Sequence, residues 1–513
     1  MQKIQSCCIE GLEVYPIKVE VDMDTGLPMV MIVGLPNAAV KESKDRVRSA
    51  LKNNGYDFPL KRITINLSPA YTRKDGTHFD LPIALGLLGA SGQIPPFDAE
   101  STLCLGELSL DGKINGVRGV LPMLLEMQKL GYRRALIPAE NLEEARYVSD
   151  MDVLGFRELK SLLFFLEKGE LREEIPRAEK TAKNIKIPSA ALKGSMDFRD
   201  LKGQESLKRG VEIAAGGAHN ILFIGPPGSG KSMAAKRLPS ILPPLSYEEA
   251  LEVTKLYSIS GKLDSRRGLM VKPPFRSPHS SSTAASLTGG GLIPMPGEIS
   301  LAHHGILFLD ELPEFDKRTL EILRQPMEDR EITLSRSHRS FTYPSNFMFA
   351  AAMNPCPCGY YGDPVKSCSC SARDIQRYHH RISGPLLDRI DIILEVPRGE
   401  YKDLKSRATS LSSKTMGERV LKARRIQEAR YKNQAFNVNG LLPDYLQNKL
   451  FDLSAESESL LGEAFDKFQL TARGYHRVLK VSRTIADLED SLEIKSPHIL
   501  EALQYRHRNS FST

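Results

Sequence analysis

The sequence predicts an α/β protein of several domains, and three observations carry that expectation. A short apolar run, Ile221–Leu222–Phe223–Ile224, ends in a glycine-rich turn followed by a helical pattern from Met233. A second run, Ile306–Leu307–Phe308–Leu309, ends in two acids, Asp310 and Glu311. Residues from about 400 to 505 read as helical throughout. Short apolar runs bounded by turn signals are the pattern of buried strands.

Composition sets the frame. A chain of 513 residues with 41% hydrophobic content can bury more than one core, and its length predicts about three domains. A formal charge of +7 permits an anionic partner without requiring one. There is no apolar run long enough to span a bilayer and no secretory leader pattern at Met1, so a cytoplasmic protein with no membrane partner is expected. Seven cysteines, four of them clustered, fit a reducing compartment and one metal or structural site.

Residues 1–167 read as an α+β unit. Val14–Val21, Pro28–Val33, Arg62–Leu67 and Ala135–Pro138 have strand character. Ala38–Asn53 is an amphipathic helix with Val40, Val47, Ala50 and Leu51 on its apolar face, and Leu81–Leu88 and Pro122–Leu130 are helical. Residues 168–195 read as a charged linker broken by Pro176 and Pro188. Residues 196–397 form the central domain and 398–513 a helical end.

In the central domain the turn after Ile224 is Gly225–Pro226–Pro227–Gly228–Ser229–Gly230–Lys231–Ser232. Strand, glycine-rich loop and helix start together make a phosphate-binding P-loop, the Walker A pattern. Its glycines let successive N–H groups face phosphate oxygens. Lys231 adds a cation near the β- and γ-phosphates, and Ser232 a hydroxyl for Mg²⁺. Asp310 and Glu311 match Walker B, with Asp310 holding Mg²⁺ and Glu311 polarising water. ATP and Mg²⁺ are the expected cofactors. A long insertion separates the two motifs, running through Phe275–His279 and Gly289–Gly291 to Pro296–Ser300. Such loops are commonly functional or disordered.

Beyond Glu311, Phe315–Arg330 predicts a helix, Glu331–Tyr343 a hairpin, and Phe347–Ala352 a strand ending near Asn354. Then come Cys356–Pro357–Cys358 and, after nine intervening residues, Cys368–Ser369–Cys370. Four thiols in two tight pairs signal a metal, with zinc first; an iron–sulfur cluster or unliganded or disulfide-bonded cysteines are the alternatives. In the helical end, Gly417–Phe436 is strongly basic, with Arg419, Lys422, Arg424, Arg425, Arg430 and Lys432. A solvated helix face and a nucleic-acid contact weigh equally there.

Several stretches carry a resemblance to the ComM/YifB family of magnesium-chelatase-like AAA+ ATPases. They are Val33–Gly34–Leu35–Pro36–Asn37–Ala38–Ala39–Val40–Lys41–Glu42–Ser43, Phe79–Asp80–Leu81–Pro82–Ile83–Ala84–Leu85, Gly297–Glu298–Ile299–Ser300–Leu301–Ala302–His303 and Asn354–Pro355–Cys356–Pro357–Cys358–Gly359. The resemblance implies a Lon-protease-like (ribosomal S5 domain 2-like) amino-terminal domain, a P-loop AAA+ core with a helix-2 insert, and an all-α carboxy-terminal lid of the magnesium-chelatase type. In Lon proteases a serine lies in a G-P-S-A-G turn with a lysine as base. The corresponding turn here, Gly76–Thr77–His78–Phe79–Asp80, puts His78 in the serine's place, so Lys74 and Asp75 read as turn residues and proteolysis is not expected.

The same resemblance assigns further roles. Leu201–Gln204 would lie over the adenine. Asn354 would be the sensor 1 residue. Arg389, in Leu386–Leu387–Asp388–Arg389, would be the arginine finger, with Arg381 in reserve. Arg473 would be the sensor 2 arginine, with Arg477 second. Where the family has a second histidine after His279, this chain has Ser280. The hairpin's Arg336 and Arg339 would face a central pore and hold DNA through phosphates, independent of sequence. The family implies a homo-hexameric ring moving on single-stranded or branched DNA during integration of transforming DNA. The alternatives are the ATPase subunit of a metal-insertion chelatase and a protein-remodelling or regulatory ATPase.

Overall fold

The computed structural model describes residues 1–168, 196–264, 268–291, 294–336, 339–399 and 411–506. The linker proposed at 168–195 lies almost wholly outside them. The described chain forms two compact units, one made of residues up to 186 together with Tyr247–Met270, the other of Ile187–Ser246 and Val271–Thr513.

The first unit is built on a seven-stranded mixed sheet. Its strand order is Met29–Val33, Arg62–Ser68, Glu13–Asp24, Gln2–Glu10, Thr102–Cys104, Arg134–Pro138 and Asp152–Phe156. Gln2–Glu10 pairs antiparallel with Glu13–Asp24, Gln2 opposite Val21, and parallel with Thr102–Cys104. This central strand is buried on both faces. Ile4 and Cys8 enter one apolar cluster with Val47, Leu51 and Leu85, while Cys7 enters another with Leu121, Leu124 and Ile137. Strand side chains alternate faces with period two, so one strand can feed both layers.

The helix Ala38–Asn53 forms where its spacing predicts. Asn37 caps it by accepting a hydrogen bond from the Val40 N–H at 2.8 Å, and Val40, Val47, Ala50 and Leu51 are buried. The helix Asp80–Ala90 is apolar almost all round, and residues 80–88 are buried without a break. Its one charge, Asp80, is held by Arg46 at 2.7 Å. Tyr247–Met270, which the sequence places between the Walker motifs, clusters with this unit. Its helix Tyr247–Ile259 packs on the helix Val120–Lys129, and Ser258 donates to the buried Glu144 at 2.7 Å.

The second unit carries a five-stranded parallel sheet in the order Phe275–Arg276, Ile306–Leu309, Met348–Met353, Ile221–Ile224, Ile392–Glu395. Both apolar runs of the sequence are therefore buried parallel strands, with Met348–Met353 between them. The helix predicted over Phe315–Arg330 is two short helices, Lys317–Ile322 and Arg324–Asp329. Pro326 has no N–H to give the Ile322 carbonyl, which breaks the ladder at that point. The hairpin is Glu331–Arg336 paired with Arg339–Pro344, and Arg336 opposite Arg339 closes it.

The helical end comprises Ser413–Arg430, Asp444–Leu450, Ala455–Lys467, Ala472–Leu488 and Ser496–Gln504. Ser412, Ser454 and Thr471 cap three of these helices with their side chains. Ser413–Arg430 and Ala472–Leu488 both pack on the helix Glu205–Gly217 beside the Walker A strand. A buried ionic group joins them: Asp487 accepts from Arg430 on both oxygens and from Arg483 at 3.1 Å. The basic stretch is largely spent on such contacts. Arg419 pairs with Glu212, Lys422 with Asp490, and Arg424 donates to the Ala215 carbonyl. Among the described residues no helix is long and apolar enough to cross a membrane.

Candidate nucleotide and thiol sites

The site starts from backbone that only glycine can supply. At Gly225 a Cβ would sit 2.2 Å from the Val396 carbonyl oxygen, and Gly228 and Gly230 have φ of +77° and +94°. The loop can thus curl tightly between the strand Ile221–Ile224 and the helix Lys231–Arg237, leaving the helix N-terminus for an anion. Leu201 and Gln204 lie against this loop. Gln204 Nε2 donates to the Ser229 carbonyl at 2.7 Å, and a Cβ on Gly230 would be 3.1 Å from Leu201.

Strand order brings the other groups to the same end of the sheet. Ile224 pairs with Met353 and Leu309 with Ala351, so Asn354 and Asp310 follow strands adjacent in the sheet. Lys231 Nζ donates to the carbonyls of Gly225 and Pro226 at 2.6 and 2.8 Å, and to Asn354 Oδ1 at 3.2 Å. Ser232 Oγ donates to Asp310 Oδ2 at 2.7 Å. A hydroxyl touching a carboxylate is a donor set suited to Mg²⁺, a hard cation that takes oxygen ligands. Glu311 has φ +52°, a conformation that costs a non-glycine residue about 1–3 kcal/mol. It stands exposed beyond Asp310, with its N–H bonded to Asp310 Oδ1 at 3.1 Å. Burial lowers Lys231 to about 8, and the charge of Asp310 opposes that shift.

The arginines gather elsewhere in the same unit. Arg389 is ion-paired with Glu328 and donates to the Pro385 carbonyl at 2.7 Å; Arg473 is 3.7 Å from the same Glu328. Both line a cleft of about 570 Å³ with Arg330, Arg477 and Lys480. Arg477 is occupied structurally, donating to the Leu387 and Ile390 carbonyls at 3.3 and 2.9 Å. Arg381 instead meets Glu314 and the Pro313 carbonyl, just past Walker B. The structure therefore brings Arg389 and Arg473 together, and the contacts of neither are with the glycine-rich loop. Glu328 joins them, and an acid in a charged helix carries no local pattern that points to these two partners. His279 is exposed and bonded to Ser281.

The two thiol pairs also meet. The sulfurs of Cys356, Cys358, Cys368 and Cys370 all lie within 4.8 Å of one another, three of the separations being 3.3, 3.5 and 3.7 Å. A tetrahedral zinc–thiolate centre needs sulfurs about 3.8 Å apart, so the donor set fits such an ion. Backbone N–H groups of Ser369 and Tyr360 hold the Cys358 thiol below its ordinary range, while Cys368 and Cys370 beside it are pushed up.

Comparison with known proteins agrees with this geometry. The chain matches the families described as "Magnesium chelatase, subunit ChlI" over residues 197–404, "Subunit ChlI of Mg-chelatase" over 19–141, and "Magnesium chelatase, subunit ChlI C-terminal" over 410–506. It is 43% identical to the YifB protein of Salmonella typhimurium and 41% identical to the competence protein ComM of Haemophilus influenzae, each over 97% of this chain and 95% of the relative. This chain belongs to the ComM/YifB family of magnesium-chelatase-like AAA+ ATPases. Lon protease 2 of Bacillus subtilis is 27% identical over 28% of this chain and 27% of its own length.

Against that Lon likeness, this chain's own turn is filled by structural contacts. His78 is buried, Nε2 bonded to the Cys7 carbonyl at 2.8 Å, and burial lowers it to about 4. Lys74 is fully buried, with Nζ donating to the Thr72 carbonyl at 2.8 Å and to that of Pro69, and Asp75 accepts from Asn37. These contacts are those of a braced turn.

Proposed function

We propose that the protein is an ATP-hydrolysing ring motor acting on DNA, most plainly as a branch-migration helicase in homologous recombination or the integration of transforming DNA. The observation that carries the reading is the split between two half-sites. Lys231, Ser232, Asp310 and Asn354 converge at the end of the parallel sheet, whereas Arg389 and Arg473 converge on Glu328. Groups that must meet at one γ-phosphate, yet sit apart on one subunit, can meet across a subunit boundary. That arrangement supports a homo-hexameric ring with shared active sites.

Within it, the loop Gly225–Ser232 binds ATP phosphates, with Lys231 neutralising charge. Ser232 and Asp310 hold Mg²⁺, which when bound polarises the phosphates. Glu311 is the base for the attacking water, Asn354 orients that water, and Arg389 is the finger supplied to a neighbour. Cys356, Cys358, Cys368 and Cys370 hold one structural zinc ion. DNA runs past the hairpins, gripped at phosphates by Arg336 and Arg339. The name of the ComM relative supports a role in competence.

The test is ATP hydrolysis by the purified chain with and without a four-way DNA junction, with strand movement followed on a gel. Stimulated turnover and resolved junctions support the motor. Turnover indifferent to every DNA tested overturns it and moves attention to the chelatase or protein-remodelling readings.

A further inference from the structure

The four-thiol loop begins two residues after Asn354, the side chain that accepts from Lys231 Nζ at 3.2 Å. It is tied back to that region at every turn. Cys356 is fully buried at the end of the sensor strand. His379 Nε2, on the helix that closes the loop, bonds the Pro355 carbonyl at 2.8 Å. Gly359 lies directly on the phosphate-binding loop: a Cβ there would be 2.7 Å from Pro227 Cδ and 2.8 Å from its Cγ. Pro227 is a short closed ring and cannot swing aside as a flexible side chain would.

These contacts make the thiol loop one wall of the nucleotide site. We infer that the four-cysteine metal centre positions Asn354 and the phosphate-binding loop, so that metal occupancy sets the rate of ATP turnover. The inference rests on the metal reading of the four cysteines given above. Its physical basis is loop closure. Without an ion, residues 357–369 are held by hydrogen bonds inside the loop, such as those from the Val365 and Lys366 N–H groups to Asp363, and by weak thiol contacts, so the entropy of closing the loop must be met from these alone. With an ion, Cys356 is fixed to three other sulfurs, and only Pro355 separates it from Asn354. A displacement of the Cys356 sulfur therefore passes almost undiminished to the amide that faces Lys231. Gly359 carries the second contact, to Pro227. Misplacement of such groups by about 1 Å can cost about a hundredfold in rate.

The experiment uses the full chain and three variants. Metal content is measured by elemental analysis, binding with a fluorescent ATP analogue, and turnover by phosphate release. Cys368→Ser with Cys370→Ser should lose the metal, bind the analogue within about threefold of the unmodified chain, and hydrolyse ATP at least tenfold more slowly. Gly359→Ala, strained at φ +87° and pressed on Pro227, should keep one metal ion per chain and lose at least fivefold in turnover, and unchanged turnover overturns the part of the inference that runs through Pro227. Val365→Ser, on an exposed part of the same loop, should match the unmodified chain in all three measurements. If the cysteine variant loses metal and turns over normally, the inference is overturned and the metal reading survives. If the unmodified chain, purified without chelator, carries neither zinc nor iron, the metal reading fails and the inference with it. Should the cysteine variant not fold, chelation of the unmodified chain replaces it. With the chelator removed afterwards and excess Mg²⁺ present, turnover lost along with the thiol-bound metal and restored by added zinc then supports the inference, and turnover unaffected by metal removal overturns it.

Discussion

Lys231 Nζ lies 3.2 Å from Asn354 Oδ1, so the lysine that ends the glycine-rich turn and the polar group after the central strand share one hydrogen bond. Burial depresses Lys231 from 10.5 to about 8. A polyphosphate beside it favours the charged form and raises that value. Below pH 8 the amine is protonated with or without nucleotide, and binding is insensitive to pH. Above pH 8 binding must take up a proton, so affinity falls by up to about tenfold per pH unit until the bound-state value is reached. Calorimetry at pH 9 in two buffers of different ionisation heat should show uptake approaching one proton. Lys231→Arg, which stays charged, should show none. A binding heat independent of buffer in the unmodified chain contradicts this account.

Turnover separates the two Walker motifs. Lys231→Ala should abolish nucleotide binding. Glu311→Gln should bind ATP yet hydrolyse it about 10²–10⁴-fold more slowly, the usual worth of a positioned base. A Glu311→Gln protein with normal turnover removes Glu311 from that role.

Arg389 predicts complementation. ATP hydrolysis should rise steeply with protein concentration as rings assemble. Arg389→Ala and Lys231→Ala subunits should each be inactive, and their mixture should recover activity at interfaces that pair the two intact halves. A mixture no better than its parts, when subunits demonstrably exchange, rules out an arginine acting across subunits.

Replacing Arg336 and Arg339 with alanine should weaken binding to DNA of every sequence and flatten its salt dependence by about one log–log unit per lost phosphate contact. Basal hydrolysis should persist while stimulation by DNA falls. An unchanged salt slope moves the DNA contact away from the hairpin.

Asp487→Ala would leave Arg430 and Arg483 without their shared buried carboxylate. Removing one partner of a buried ionic group costs about 3–5 kcal/mol. Urea unfolding followed by circular dichroism should show that loss in the second unit. A change below about 1 kcal/mol means that water replaces the carboxylate.

Much of this was legible in the chain itself, for identifiable reasons. The glycine-rich turn and the acid pair sit at strand ends, where short-range pattern and position coincide. Ala38–Asn53 carries its cap and its apolar stripe in its own sequence. Gln2–Glu10 was missed because a strand buried on both faces lacks clean alternation, and Cys7, Cys8 and Ser6 disguise its apolar character. The Phe315–Arg330 helix was drawn too long because its apolar spacing continues across Pro326. The basic run at 419–432 looked equally suited to DNA and to solvent. Glu212, Asp487 and Asp490, distant in sequence, are the acids that occupy its cations. Pairings of that kind depend on tertiary placement, and local pattern carries no trace of them.

The excursion Tyr247–Met270 has a consequence for synthesis. Translation runs from the amino terminus, yet the first unit lacks Ser258, the partner of its buried Glu144, until that excursion has left the ribosome. By then the glycine-rich loop has already been made, while Met348–Met353 and Ile392–Glu395, the strands that flank Ile221–Ile224 in the sheet, have not. The nascent chain must therefore carry an exposed Walker A strand through the interval in which its first unit closes. Folding of the two units is interleaved in time, and a fragment ended in the 168–195 region omits part of the first unit's own interior.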